Sequence, residues 1–384
     1  MKRSTDRILT THVGSLARPV DLLDLMKAKV NDEPYDEDAY AKRIPAAVAE
    51  IVRKQADSGI DIVTDGEQGK LGFSSYVGER LEGYESRPGF IDKDEFSEEL
   101  AAFPEYYERY FAEAMHGGAV TKVDPVVCTG PIRYKGADAL HRDIANLKDA
   151  VAGVDKEDVF MPAVAPGGVG SNEYYPSEEK YMEAVGEAMR TEYQAIADAG
   201  FIVQIDDPWM TVVHGDGSLS VGERMQKIEL AVEVLNHSLR DIPSEQVRLH
   251  TCYGINEGPR IHDAALKDIV GIMLKVNAGA YSFEAANPRH EHEYHVWEDV
   301  ELPEGKLIIP GMVAHANNIV EHPELICERI IRFANIVGRE NVIAGTDCGF
   351  STQATYTPEV HPTVVWAKFQ ALAEGARLAT KQLW

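Results

Sequence analysis

The sequence predicts an α/β fold, a closed eight-stranded β/α barrel of the TIM type. Two observations carry that expectation. Short apolar, β-rich runs alternate with amphipathic helical patterns along most of the 384 residues, the repetition expected of a parallel sheet with helical crossovers. Most of the runs also end in an ionisable or metal-binding side chain, and such barrels build their active sites at the C-terminal strand ends.

In chain order, the candidate strands cover residues 8–15, 61–68, 125–130, 158–166, 201–208, 247–254, 280–287, 306–313 and 342–348. Helical patterns occupy 44–58, 178–199, 222–239, 261–271, 322–337 and 359–379. That is one strand more than a barrel of this type takes. The surplus is 125–130, set within a long helical and hairpin excursion, about 70–157, between the second and third barrel strands. Residues 1–384 thus read as one barrel domain with the excursion near its mouth. Within it, the spacing of Phe103, Tyr106, Tyr107, Tyr110 and Phe111 suits a helix packed on the mouth, as a lid or at a subunit contact.

The strand ends read in order as Thr11-His12-Val13-Gly14-Ser15, Asp65-Gly66-Glu67, Ala165-Pro166-Gly167, Asp206-Asp207-Pro208, His250-Thr251-Cys252, Glu284, Ala314-His315 and Asp347-Cys348. In a barrel all of these face one cavity. Pro166-Gly167-Gly168-Val169-Gly170 lacks the Lys-Ser/Thr of a phosphate loop and the full spacing of a dinucleotide fingerprint. It reads as a flexible βα turn.

A formal charge of −25 argues against nucleic acid, whose binding rests on Lys and Arg neutralising phosphates. It also disfavours anionic membranes and long polyanionic substrates, leaving a small molecule as the expected partner. No apolar stretch resembles a secretory signal or reaches bilayer-spanning length. Four cysteines in so long a chain make no disulfide framework. A cytoplasmic, reduced protein follows, with thiols available to a metal.

Three of the strand-end residues form a ligand set. His250 and Cys252, two apart on a strand, point to the same side. A second strand ending in Cys348 brings a third soft donor beside them. One imidazole and two thiolates suit zinc, and a position left open makes the site catalytic rather than structural. Glu284 reads either as a displaceable fourth ligand or as a salt-bridged strand end. The stretch Asn287–His295 fails the HExxH pattern because Tyr294 stands where the second His belongs. It reads as a loop that supports the ligands or touches substrate. Cys327 falls on the apolar face of a helix, as a small buried hydrophobe, and Cys128 has no visible metal partner.

This ordered set of strand ends resembles the catalytic C-terminal barrel of the cobalamin-independent methionine synthase family, over nearly the whole chain. The resemblance implies that His250, Cys252, Glu284 and Cys348 hold Zn2+, that Gly14-Ser15 holds an amino acid's carboxylate, that Glu67 and Asp206 grip the ammonium of homocysteine, and that His315 assists proton transfer. The N-terminal barrel that helps the full-length enzyme bind a polyglutamated folate has no counterpart in these residues. The activity implied is zinc-dependent S-alkylation of a small thiol by a small alkyl donor, with methyl transfer to homocysteine as the first reading.

Single-barrel relatives include the epoxyalkane:coenzyme M transferases. Their sulfonate thiol would call on Arg18 and Arg289 instead of carboxylates. A purely structural zinc is the non-enzymatic alternative, and a metal-free decarboxylase would leave His250 and the two thiols without a task. Donor identity and self-association are left open.

Overall fold

The structure is a computed structural model that describes residues 1–87, 96–115, 117–121, 125–254 and 257–384. Its strands, in chain order, are β1 (Ile62–Val63), β2 (Leu81–Ser86), β3 (Val126–Tyr134), β4 (Asp158–Val164), β5 (Ser171–Asn172), β6 (Ile202–Asp206), β7 (Val247–His250), β8 (Ala280–Phe283), β9 (Leu307–Val313) and β10 (Gly345–Thr346). A seven-stranded sheet runs β1-β4-β6-β7-β8-β9-β10, every neighbour parallel.

Two residues close the ring. Thr10 bridges Ala344 and Thr11 bridges Ile62, both in parallel, so the run 8–15 contributes the eighth strand position in its shortest form. Gly14 then turns the chain out of the sheet at φ +141°, and the Leu16 amide donates to the Gly66 carbonyl at 3.2 Å. The expected strand 61–68 stops at Val63 for a related reason. Gly66 and Glu67 adopt left-handed backbone at φ +65° and +56°, which no strand accommodates.

The lumen is packed. Leu9, Ile62, Phe160, Ile202, Ala280, Leu307, Ile309 and Ile343 meet in one buried cluster, apart from the larger layer between sheet and helices. Above it lies Arg248, its guanidinium 3.4 Å from the Phe160 ring centroid. Arg248 donates to Gln204 Oε1 at 2.6 Å, Thr11 Oγ1 at 3.0 Å and the His12 carbonyl at 2.7 Å, so the buried cation is hydrogen-bonded throughout. Two residues further along the same strands stand Asp206 and His250. Alternation along a strand therefore aims both into the barrel above that polar floor.

Helices wrap the outside. Asp36 caps Glu37–Asp57 by accepting from the Ala39 amide at 2.9 Å, which starts this helix well before the expected 44–58. Ser220 and Glu223 form a capping box on Val221–Ser238. The helix Val20–Val30 was not anticipated from the sequence.

The surplus strand belongs to a second sheet, with β2 and β3 antiparallel and β3 and β5 parallel. Because β5 follows β4, this sheet reaches beyond the expected excursion of 70–157. Residues 88–95, 116 and 122–124 of the excursion lie outside the described residues. The aromatic stretch forms the helix Pro104–Arg109 and a π-helical turn Tyr110–Met115. Tyr107 Oη donates to Glu99 at 2.8 Å, Tyr110 Oη donates to Glu359 at 3.1 Å, and the Glu257 amide donates to Tyr110 Oη at 3.3 Å. These contacts join it to the loops after β7 and β10, at the C-terminal side of the barrel. No helix among the described residues is long and apolar enough to cross a membrane.

Candidate active site

His250, Cys252 and Cys348 come together, with one ligand atom from each lying within 4.8 Å of the other two. The route differs from strand alternation. β7 ends at His250 and Cys252 lies just past it, where Thr211 Oγ1 donates to its carbonyl. That contact, and the Thr251 amide bonded to Ser282 O at 3.0 Å, set the turn that presents the thiol. Cys348 likewise follows β10, and Thr346 Oγ1 donates to its carbonyl at 3.0 Å.

These three groups fit a soft divalent ion. His250 is buried, its Nδ1 lies 3.2 Å from Ser282 Oγ, and its Nε2 has no hydrogen-bond partner among the described residues. Burial and the nearby Arg248 guanidinium push His250 down to about 3, leaving a neutral imidazole with a lone pair to offer. The Cys252 thiol beside it, together with burial, holds the Cys348 thiol well above the usual range. A cation is what would let the buried Cys348 thiol ionise beside the half-buried Cys252.

Glu284 is not in that trio; it groups with His315 and Asp347 within the same 4.8 Å limit. Its Oε2 lies 2.9 Å from Arg260 Nη2 and accepts from Asn287 Nδ2 at 2.8 Å. Burial raises Glu284 to about 7 despite Arg260. Asp347 braces the same region, accepting from the Ala285 and Ala286 amides at 2.8 Å each and from Asn287 Nδ2 at 3.1 Å. Burial, Arg260, His250 and Lys368 hold His315 well below its ordinary range, as a neutral ring.

Gly311 shows how tight this brace is. A Cβ there would lie 2.0 Å from Asp347 Oδ1 and 2.8 Å from its Cα and N. Gly311→Ala is expected to cost about 1–3 kcal/mol of stability and to weaken metal binding at the adjacent Cys348. A thermal melt and a metal titration check both; an unchanged melt would refute the packing account.

Glu67 and Asp206 form a second buried pair. Burial and, next to it, the Glu67 charge hold Asp206 well above the carboxylate range; burial likewise raises Glu67 against the pull of Lys70 and Arg18. Glu67 Oε2 accepts no hydrogen bond among the described residues, with Arg18 Nη2 at 3.8 Å. Gln204 Nε2 donates to Asp206 Oδ1 at 2.7 Å. A cationic group arriving beside these acids would favour their ionised forms. Ser15 is stitched to the segment that follows Cys348: its carbonyl accepts from Phe350 N at 3.0 Å, and a Cβ on Gly349 would lie 2.0 Å from Ser15 Oγ.

The family model for the catalytic domain of cobalamin-independent synthase matches residues 172–367. The chain belongs to this family. Membership makes it an enzyme of the methyltransferase class. A methionine synthase of Sulfolobus acidocaldarius is 23% identical over 349 residues, covering 88% of this chain and 85% of its own length. One of Saccharolobus solfataricus is 20% identical over 390 residues, covering 97% and 95%. Among solved structures, a B12-independent methionine synthase from a Shewanella strain, in complex with selenomethionine, superposes with a TM-score of 0.72 at 18% identity over 98% of this chain and 99% of its own. A putative vitamin-B12-independent methionine synthase from Listeria monocytogenes gives 0.67 at 19% identity, with coverage of 98% and 99%. These likenesses show the barrel fold of the family.

Some functional neighbours carried little sequence signal. Arg260 sits in a loop at φ +52° and joins Glu284, Asp263 at 2.7 Å and the Tyr253 ring at 5.1 Å. Lys70 donates to the Pro162 carbonyl at 2.7 Å, beside Glu67. In the Asn287–His295 loop, Asn287 supports Glu284, and His290 stacks on Tyr253 at 4.0 Å. His292 and His295 are exposed. Arg18 donates to the carbonyls of Ser351 at 2.6 Å and Lys70 at 2.9 Å, and Arg289 is exposed. Cys327 is buried on its helix, as expected.

Proposed function

We propose that this family member is a zinc-dependent S-methyltransferase that methylates homocysteine to methionine. The single observation that carries the reading is the convergence of His250, Cys252 and Cys348 at the same barrel mouth as the buried Glu67–Asp206 pair. The two methionine synthases named above, similar over most of their length, support the same reading.

In this reading the trio holds the metal, and Glu284 stands by as a fourth, displaceable ligand. A bound zinc ion would keep the substrate sulfur as thiolate, where a free thiol of pKa about 8.5 is only a few per cent ionised. Glu67 and Asp206 receive the substrate ammonium, and the Gly14-Ser15 turn receives its carboxylate. The sulfur–methyl bond forms as the donor–methyl bond breaks, and the departing donor takes up a proton. His315 is the residue proposed to handle that proton. Because its surroundings keep it neutral, it offers one N–H and regains a proton from outside the site.

The chain acts as one barrel unit whose partners are a small thiol and a small methyl donor, and the reducing cytoplasm suits its unpaired thiols. A sulfonate thiol finds less support, since Arg18 is engaged by backbone carbonyls and Arg289 is exposed.

Metal analysis of protein purified without chelator, followed by methyl transfer to homocysteine with a panel of methyl donors, tests the proposal. Stripping the metal is expected to abolish turnover while the circular dichroism spectrum persists, with added zinc restoring activity. Unfolding on chelation would instead identify a structural ion.

A further inference from the structure

His315 lies in the loop that leaves β9, between Val313 and the helix Pro323–Val337. One carboxylate closes that loop on itself. Glu321 Oε1 accepts from the amide of Ala314, the residue before His315, at 2.8 Å. Lys368, from the C-terminal helix Pro362–Leu383, donates to Glu321 Oε2 at 2.9 Å and Oε1 at 3.1 Å, and to the Ile319 carbonyl. The lysine is fully buried and Glu321 is 8% exposed. Each hydrogen bond of that ammonium among the described residues therefore ends in the segment that carries His315. Further along it, Asn318 is fixed to the loop after β10, donating to the Glu359 carbonyl at 3.0 Å and accepting from the His361 amide at 2.8 Å.

We propose that Glu321, clamped by Lys368, is a positioning residue that fixes the His315 imidazole beside Glu284 and Asp347 in the geometry of proton transfer. The inference rests on the reading of His315 as the residue that handles the donor's proton. Stability alone does not call for such a clamp, because apolar side chains of similar volume often replace a buried ion pair with no net loss. Direction is what the pair supplies. A carboxylate held at both oxygens keeps the Ala314 amide in one place, and a proton passes only over a hydrogen-bonding distance of about 2.6–3.2 Å. Displacing the ring by about 1 Å is enough to cost about 100-fold in rate. The three soft donors and the Glu67 and Asp206 carboxylates stand at other strand ends, so the effect should be confined to His315.

The test follows labelled methyl transfer to homocysteine by zinc-loaded, full-length protein, with the donor that the wild type uses best. Lys368→Met is expected to lower kcat about 10- to 100-fold, while KM for homocysteine and bound zinc stay as in the wild type. Lys368→Met combined with Glu321→Gln leaves no unpaired charge in the interior, so it keeps the fold where the single variant does not and should show the same loss. In a His315→Asn background these substitutions should add nothing further, because residues that act through one another are not additive. Folded variants that keep wild-type kcat, losses that multiply with that of His315→Asn, or a fall in kcat accompanied by lost zinc overturn the inference and leave the role of His315 standing. His315→Asn with wild-type turnover, or no methyl transfer from any donor, removes the underlying reading instead.

Discussion

Cys252→Ala and Cys348→Ala are each expected to lose bound zinc and methyl transfer together. The loss should exceed about 100-fold, since even partners that only orient a metal ligand are worth about 10- to 100-fold. The reason is the sparseness of the donor set: three groups converge, and removing one sulfur leaves an imidazole and one thiol. Metal content by mass spectrometry and turnover with homocysteine measure the two losses in parallel. Full activity in a zinc-free Cys252→Ala protein would sink the proposed chemistry. Cys327→Ala provides the contrast, because that thiol packs on the outer face of the barrel, 3.4 Å from Gln382 Nε2. It should change neither metal content nor turnover.

The second large effect is expected at the carboxylate pair. On the proposed function, Glu67→Gln and Asp206→Asn would each remove one charged hydrogen bond to the substrate ammonium, about 1.5–3 kcal/mol, or roughly 10- to 150-fold in kcat/KM for homocysteine. A desamino thiol such as 4-mercaptobutanoate has no ammonium to lose and should be spared. Equal losses for both thiols would mean that these carboxylates do not hold the amino group. The pH dependence has a definite sign. Burial raises both acids, the Glu67 charge adds to the rise at Asp206, and an arriving ammonium favours their ionised forms. Homocysteine binding should therefore strengthen as pH rises through the acids' elevated range in the empty site, and each neutralising variant should flatten that rise.

Some of the site was legible in the residue string, and some was not. His250, Cys252 and Cys348 stand out because soft donors at the ends of apolar runs are rare and chemically specific. The expected geometry of the first two was nevertheless incomplete. Strand alternation would have placed Cys252 on β7, whereas the strand ends at His250 and a side-chain contact from Thr211 sets the following turn. The sequence leaves Glu284 between ligand and ion pair, and only the folded chain brings Arg260, 24 residues earlier in the sequence, to its carboxylate. No periodicity or motif marks Arg260, because its position depends on a loop conformation and on contacts with Tyr253 and Asp263. The helix Val20–Val30 escaped for a different reason. It follows Pro19 with no side-chain cap hydrogen bond to mark its start.

The sequence by itself determined the alternation of strands and helices, the parallel barrel that follows from it, and the identity of the soft donors at the strand ends. These are local properties: apolar period, strand length and side-chain chemistry are written residue by residue. Tertiary structure alone decided the closure of the ring through Thr10 and Thr11, the burial that raises Glu67 and Asp206, and the partner of Glu284. Each depends on which groups meet after the chain has folded and lost their water, and burial changes the charge preferences of those groups as much as their identity does.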